Sequence, residues 1–309
     1  MAAVRESLPP GTLIGAYRIV RPIAKGGFSL IYLATDEDNG EEVVIKEYMP
    51  KEIARRDSAL RVVPGNPDAI ETLYHGKKLF FQEVKALAAL KHPNIVRVIA
   101  FILAYDTGYL VMPNERGRNL GAYLHERRGG VSTTFILDVF LPILDALALL
   151  HRNAMVHLDV KPGNIHLRHG NQPLLLDLGA VHPLNQGRPR GGQVITAGYS
   201  PVEQYFRAGQ VGPWTDVYAV GATIRTCMEG HTPQPAPERQ KEDKLLPVKL
   251  LLKGRYPAFL LEAVDWSLAM DAAQRPQDAS VLLNALVSHL DTTQRAHFTA
   301  LRVSQQSSH

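Results

Sequence analysis

The sequence predicts an α+β chain in which a small lobe of mostly antiparallel strands plus one helix, about residues 17 to 113, precedes a larger, mainly helical lobe, about residues 114 to 290. Two observations carry this. Apolar runs of strand length dominate the first part, and apolar spacing of helical period dominates the second. At 309 residues and 45% hydrophobic content the chain can bury a substantial core. Residues 1–16 read as an N-terminal extension, and residues 291–309, ending in Ser-Gln-Gln-Ser-Ser-His, as a disordered tail.

Taken in order, Tyr17 to Ala34 alternates apolar residues around Ala24-Lys25-Gly26-Gly27-Phe28-Ser29, two strands about a glycine turn. Val43-Val44-Ile45-Lys46 reads as a buried strand ending in a lysine. Between Lys46 and Glu83 lies a long segment containing Met49-Pro50, Arg55-Arg56 and Pro64-Gly65-Asn66-Pro67, whose Pro and Gly punctuation argues a loop rather than a longer helix. Phe80 to Leu87 has the spacing of an amphipathic helix carrying Glu83. Ile95 to Met112 holds two apolar runs broken by Asp106-Thr107-Gly108, a hairpin signal. Phe135 to Leu150 is the longest apolar run, but Asp138, Pro142 and Asp145 interrupt it, so it reads as a core helix and not a membrane span.

Chemistry concentrates in Val156-His-Leu-Asp-Val-Lys-Pro-Gly-Asn164, followed after a short apolar run by Leu176-Asp177-Leu178-Gly179. Phosphoryl transfer asks for positioning and charge neutralisation, hence a base, cations and metal ligands. Asp159 is the candidate base. Lys161 would lie beside a transferring phosphate, while Asn164 and Asp177 offer the hard oxygens that magnesium prefers. Read alone, Lys-Pro-Gly-Asn is also a turn between two elements.

Together these motifs resemble the eukaryotic-like serine/threonine protein kinase family in a bacterial style, over about residues 17 to 290. The resemblance implies the bilobal protein-kinase-like fold, with ATP and Mg2+ in the cleft between lobes. It implies a phosphate-covering loop and nucleotide pocket from Ile23, Ala24, Gly26, Gly27, Ser29, Ile31 and Val44, with Lys46 on the phosphates and Glu83 holding Lys46. Ala24 and Ser29 replace the family's first and third glycines, and a positive φ at Ala24 would cost about 1 kcal/mol. Met112 closes the back of the adenine pocket; Pro113 offers its carbonyl and Glu115 its N–H, and His166 takes the place of an aliphatic floor where an imidazole could stack. Asp159, Lys161 and Thr196 are the implied catalytic set, and Asn164 and Asp177 the metal ligands. Thr196 to Glu203 resembles the end of an activation segment. Asp216 would bind the catalytic-loop backbone and Arg275 would pair with Glu203, while Leu87, Val98, His157 and Leu178 would stack as a spine. Ile45-Lys46-Glu47-Tyr48-Met49-Pro50 resembles a subgroup of bacterial kinases.

Two absences bear on control. Leu158 stands where kinases switched by loop phosphorylation carry an arginine, and residues 178–195 contain no serine, threonine or tyrosine. Activity is therefore expected not to depend on phosphorylation there. Arg188-Pro-Arg190 reads as a solvated loop that could also attract an acidic substrate.

A net charge of +4 with scattered basic residues does not imply nucleic acid. The single Cys227 excludes an internal disulfide framework and suits a reducing cytoplasm, and the twelve histidines show no zinc-site spacing. The N-terminus lacks the apolar core of a signal peptide. The expected partner is a protein with serine or threonine acceptors. Against this stand a catalytically silent relative acting as an ATP-binding or protein-binding scaffold, and a small-molecule kinase of the antibiotic-phosphorylating sort; the latter class lacks the Thr196 to Glu203 segment and its Arg275 partner.

Overall fold

A computed structural model describes residues 6–88, 90–127, 130–177, 182–184, 194–206, 209–296 and 298–299, with the side chains of Glu83, Ala86, Leu87 and His182 outside that description. The chain divides into two compact units, residues 1–91 with 96–115, and residues 92–95 with 116–309.

The first unit is a sheet with one long helix. Its strands are β1 (Leu13–Ile14), β2 (Tyr17–Lys25), β3 (Ser29–Asp36), β4 (Glu42–Tyr48), β5 (Ala54–Arg56) and β6 (Val62–Pro64). Helix α1 (Ile70–Ala88) then precedes β7 (Ala100–Ala104) and β8 (Thr107–Pro113). Six strands form an antiparallel sheet in the order β1-β2-β3-β4-β8-β7. The β-branched run Val43–Ile45 explains why β4 is central: such side chains pack well on a pleated, buried surface.

Pro and Gly punctuation predicts a loop rather than a longer helix between Lys46 and Glu83, but β5 and β6 pair there as a hairpin and the helix is the longer one, α1 already starting at Ile70 after the last proline, Pro67. Its anchor is Arg56, buried at 1% exposure, whose Nη2 donates to Glu47 Oε2 at 2.6 Å. The hydroxyls of Tyr32 and Tyr109 donate to the same carboxylate at 2.7 and 2.6 Å, and the backbone N–H of Leu8 donates to Tyr32 Oη at 3.1 Å. Buried charge is tolerated only when paired and hydrogen-bonded, and here every oxygen of Glu47 has a donor. Leu8 and Ile14 are also core residues, so residues 6–16, expected as an extension, pack into this unit.

The second unit is mainly helical. It contains β9 (Arg118–Asn119), α2 (Leu120–Glu126), α3 (Thr133–Arg152), β10 (Met155–Val156), β11 (Ile165–Leu167), β12 (Pro173–Leu175), β13 (His182–Pro183), α4 (Val202–Tyr205), α5 (Pro213–Glu229), α6 (Ala236–Lys241), α7 (Val248–Leu251), α8 (Ala258–Ser267) and α9 (Ala279–Ser288). By length and composition α3 is apolar enough to cross a membrane, yet 72% of its most apolar window is buried inside the protein. Ser132 caps it, its side chain accepting the Phe135 N–H at 3.1 Å. Disorder from residue 291 onward is not what the described part of that stretch shows: residues 292–296 are helical and Phe298 is buried, while residues 300–309 lie outside the described residues.

Candidate active site

In the first unit, the glycine turn joins β2 to β3 with Ala24 opposite Ile31 and the Gly26 N–H donating to the Ser29 carbonyl at 2.8 Å. Ala24 lies inside the strand and is absent from the positive-φ residues, so its substitution for glycine carries no conformational cost. Ile23 and Ala24 are exposed on β2, as are Gly26 and Gly27, while Ser29 and Ile31 on β3 are half-buried. Lys46 is buried on β4, paired with Ile31 and Leu110, and Val44 is half-buried, paired with Leu33 and Met112. Glu83 lies on α1, but its side chain is outside the description, so the expected Lys46–Glu83 pair is too. Met112 and Pro113 end β8. There the Glu115 N–H donates to the Pro113 carbonyl at 3.1 Å, so the two groups expected to face adenine bond to each other in a three-residue turn.

In the second unit Asp159, Lys161 and Thr196, the set the resemblance implied, converge. Lys161 Nζ donates to Asp159 Oδ1 and Oδ2 at 2.9 and 2.8 Å, and to Thr196 Oγ1 at 3.0 Å. The Thr196 hydroxyl donates to Asp159 Oδ1 at 2.7 Å. Asn164 Nδ2 donates to the Asp159 carbonyl and to Oδ2, both at 2.8 Å. Because both those partners are acceptors, the amide nitrogen must face them. The hard oxygen Oδ1 is thereby turned to the other side, as a magnesium ligand requires.

Asp177 lies at the same end of a hairpin as Asn164: β11 and β12 pair Ile165 with Leu175, and the Leu176 N–H donates to the Asn164 carbonyl at 2.8 Å. His157 fixes the other side of Leu176. Its Nδ1 accepts the Asp159 N–H at 3.3 Å, which leaves Nε2–H to donate to the Leu176 carbonyl at 3.1 Å. Both Leu158, at φ +62°, and Asp177, at φ +56°, hold left-handed backbone. Such conformations persist where neighbours over-determine them, and they cluster at functional sites.

The restraint on Leu158 comes from Asp216 in the first turn of α5. This fully buried carboxylate accepts the N–H groups of His157 and Leu158, each at 2.8 Å, and the His151 Nε2–H at 3.0 Å. Burial alone would push the Asp216 carboxyl up, but the His151 and backbone hydrogen bonds hold it below the usual carboxylate range. Arg275 Nη1 and Nη2 reach Glu203 at 2.7 and 3.3 Å, and Thr215 donates to the same carboxylate at 3.0 Å. The Asp216 and Arg275 partnerships are those the resemblance implied.

His166 sits on β11 between Asn119 and Leu174, half-buried, and its Nε2 has no hydrogen-bond partner among the described residues. Leu178 and the Arg188–Arg190 stretch lie outside the described residues, as does the Leu87 side chain of the implied spine. One contact had no signal in the sequence. Gln204, directly after Glu203, is buried and donates through Nε2 to the carbonyls of Leu158 and Val194 at 2.9 and 3.2 Å.

Comparison with known proteins agrees with this geometry. The family model described as protein kinase domain matches residues 17–301. Among curated relatives, the serine/threonine-protein kinase PknA of Nostoc sp. is 29% identical over 230 residues, covering 71% of this chain and 38% of the relative. The serine/threonine-protein kinase PknL of Mycobacterium tuberculosis is 30% identical over 244 residues, covering 75% of this chain and 54% of that protein. A solved structure titled PpkA-294 apo form superposes with a TM-score of 0.78 at 29% identity, covering 91% of this chain and all of that one. The chain spans 38% and 41% of the first two curated relatives, PknA and the serine/threonine-protein kinase C of Synechocystis sp.. With the family model covering almost the whole chain and its motif residues meeting at Asp159, this chain belongs to the protein kinase family, in its bacterial eukaryotic-like serine/threonine branch.

Proposed function

We propose that this chain transfers the γ-phosphate of ATP to serine or threonine hydroxyls of a protein, and does so without a phosphate on residues 178–195. The observation that carries the reading is the Asp159 carboxylate held at once by Lys161, Asn164 and Thr196. Asp159 orients the acceptor hydroxyl and takes its proton, and Lys161 places a cation beside it. Asn164 Oδ1 and the Asp177 carboxylate are the oxygens that would hold magnesium, which supplies neutralisation of phosphate charge when bound. In the first unit, Lys46 binds phosphate oxygens and the β2–β3 turn offers backbone N–H groups to them. The Pro113 carbonyl and Glu115 N–H serve adenine once their mutual bond opens.

Independence from loop phosphorylation is supported by Leu158 in place of an arginine and by the lack of hydroxyl side chains from 178 to 195. The bond between Pro113 and Glu115 favours a second reading, a scaffold in which the hinge stays closed to nucleotide. Purified protein treated with phosphatase, then given magnesium, labelled ATP and a generic protein acceptor, separates the two. Transfer is expected, with loss in Asp159→Asn; an inert parent that also fails to bind ATP establishes the scaffold, and a parent that requires a phosphate within 178–195 refutes the independence.

A further inference from the structure

We infer that Gln204 is the positioning residue that does, through an uncharged amide, what an arginine–phosphate contact does in switched kinases: it ties the activation segment to the catalytic loop. The inference rests on the proposed phosphorylation-independent activity. Glu203 fixes α4 against Arg275 and Thr215, and its neighbour Gln204 spends both amide hydrogens on two carbonyls, Leu158 at 2.9 Å and Val194 at 3.2 Å.

The two carbonyls belong to the backbone segments that deliver the catalytic set. Leu158 directly precedes Asp159, and Val194 lies two residues before Thr196, whose hydroxyl donates to Asp159 at 2.7 Å. Leu158 also carries the strained backbone, with φ +62°. Its N–H is taken by Asp216 Oδ1 at 2.8 Å and its carbonyl by Gln204, so both polar groups of this residue are held by side chains from other elements. That is the over-determination a left-handed leucine needs. Gln204 is 2% exposed, so water does not substitute for it readily.

The chemistry makes a specific demand. Both partners are acceptors, so only a side chain with two N–H donors on one atom serves both, and a carboxylate of the same shape would set oxygen against oxygen. A role in filling space makes the opposite ranking, because glutamate copies glutamine's shape better than methionine does.

The test uses the phosphatase-treated full chain and its Gln204→Met and Gln204→Glu variants, with rates scaled to folded protein by calorimetry. Expected is a kcat about 10- to 100-fold lower in Gln204→Met at unchanged KM for ATP, and a larger loss in Gln204→Glu. Hydrogen exchange at the Asp159, Thr196 and Ser200 amides should quicken in both variants. A Gln204→Glu variant more active than Gln204→Met, or losses confined to KM for ATP, overturns the inference. So does unchanged exchange at those amides, which can be measured even if the parent transfers no phosphate; an inert parent refutes the proposed function instead.

Discussion

The Tyr48 hydroxyl fills the space that a β-carbon on Gly76 would occupy, so β4 and α1 approach through a side chain that only glycine admits. The Tyr48 ring also stacks on Phe80, with centroids 5.6 Å apart. Tyr48 lies two residues beyond Lys46 on β4, and α1 carries Glu83, so this contact sets the separation of the two elements that bear the lysine proposed to bind phosphate and its proposed glutamate partner. Helix propensity alone favours Gly76→Ala by about 0.8 to 1.0 kcal/mol. The clash opposes it. Gly76→Ala is expected to lower kcat/KM for ATP about tenfold, and adding Tyr48→Phe to recover most of that, as measured by steady-state kinetics.

Arg56 and Glu47 make the other interaction that shapes the first unit. Removing one partner of a buried pair leaves an uncompensated charge and costs about 3 to 5 kcal/mol. Arg56→Met should therefore lower stability by that amount in urea or thermal unfolding. Adding Glu47→Gln should recover part of it, because the neutral amide still offers an oxygen to Tyr32 or Tyr109. A double variant less stable than Arg56→Met alone would remove the charge argument.

The same pair shows what the sequence could and could not disclose. The side chains that meet at Asp159 were legible because the roles proposed for them demand particular residue types at short fixed spacings: Asp159, Lys161 and Asn164 within six residues of one loop. Asp216, Glu203 and Arg275 were legible only through the resemblance, since a helix-start aspartate or a lone arginine is ordinary in itself. Arg55-Arg56 in a segment punctuated by proline and glycine reads as part of a loop, and nothing local says that Glu47 on β4 waits for the second arginine. Gln204 was illegible for a related reason: its partners are backbone carbonyls, which every residue has. Leu8 packs on the sheet through a tyrosine hydroxyl, a pairing without sequence periodicity.

Asp216 gives a pH dependence of definite sign. Its folded-state pKa is depressed, so its contribution to stability is present in full above the pKa of the unfolded chain. That contribution is lost as pH falls through the lower folded-state value. Stability should therefore fall on acidification below about pH 4, where the unfolded chain takes up a proton that the folded one refuses. In Asp216→Asn the acid-side slope of unfolding free energy against pH should be shallower than in the parent. Parallel slopes would mean that the carboxylate is not held below its ordinary pKa.

His166 carries a buried nitrogen that has no hydrogen-bond partner among the described residues, which costs free energy that an aliphatic side chain would not. His166→Leu should raise the melting temperature of the nucleotide-free protein. If the imidazole stacks on adenine, the same variant should bind ATP more weakly by calorimetric titration. An affinity equal to or tighter than the parent's would leave the histidine without a role in nucleotide binding.

Thr196 both donates to Asp159 and accepts from Lys161, so its hydroxyl closes a three-membered ring of contacts at the Asp159 carboxylate, the proposed base. Its own backbone is held by Ser200, whose hydroxyl accepts the Thr196 N–H at 3.0 Å, and by the Tyr199 and Ser200 N–H groups on its carbonyl at 3.0 and 2.9 Å. The backbone therefore stays in place when the side chain changes. Thr196→Val keeps the shape and removes the hydroxyl, leaving the Asp159 carboxylate held by Lys161 and Asn164 alone and Lys161 with one partner fewer. Thr196→Ser keeps the hydroxyl and loses only a methyl. Steady-state assays with a serine or threonine acceptor should show kcat about 10- to 100-fold lower in Thr196→Val and within a few-fold of the parent in Thr196→Ser. Equal losses in the two variants would assign the effect to packing around the methyl group and take the hydroxyl out of the catalytic set.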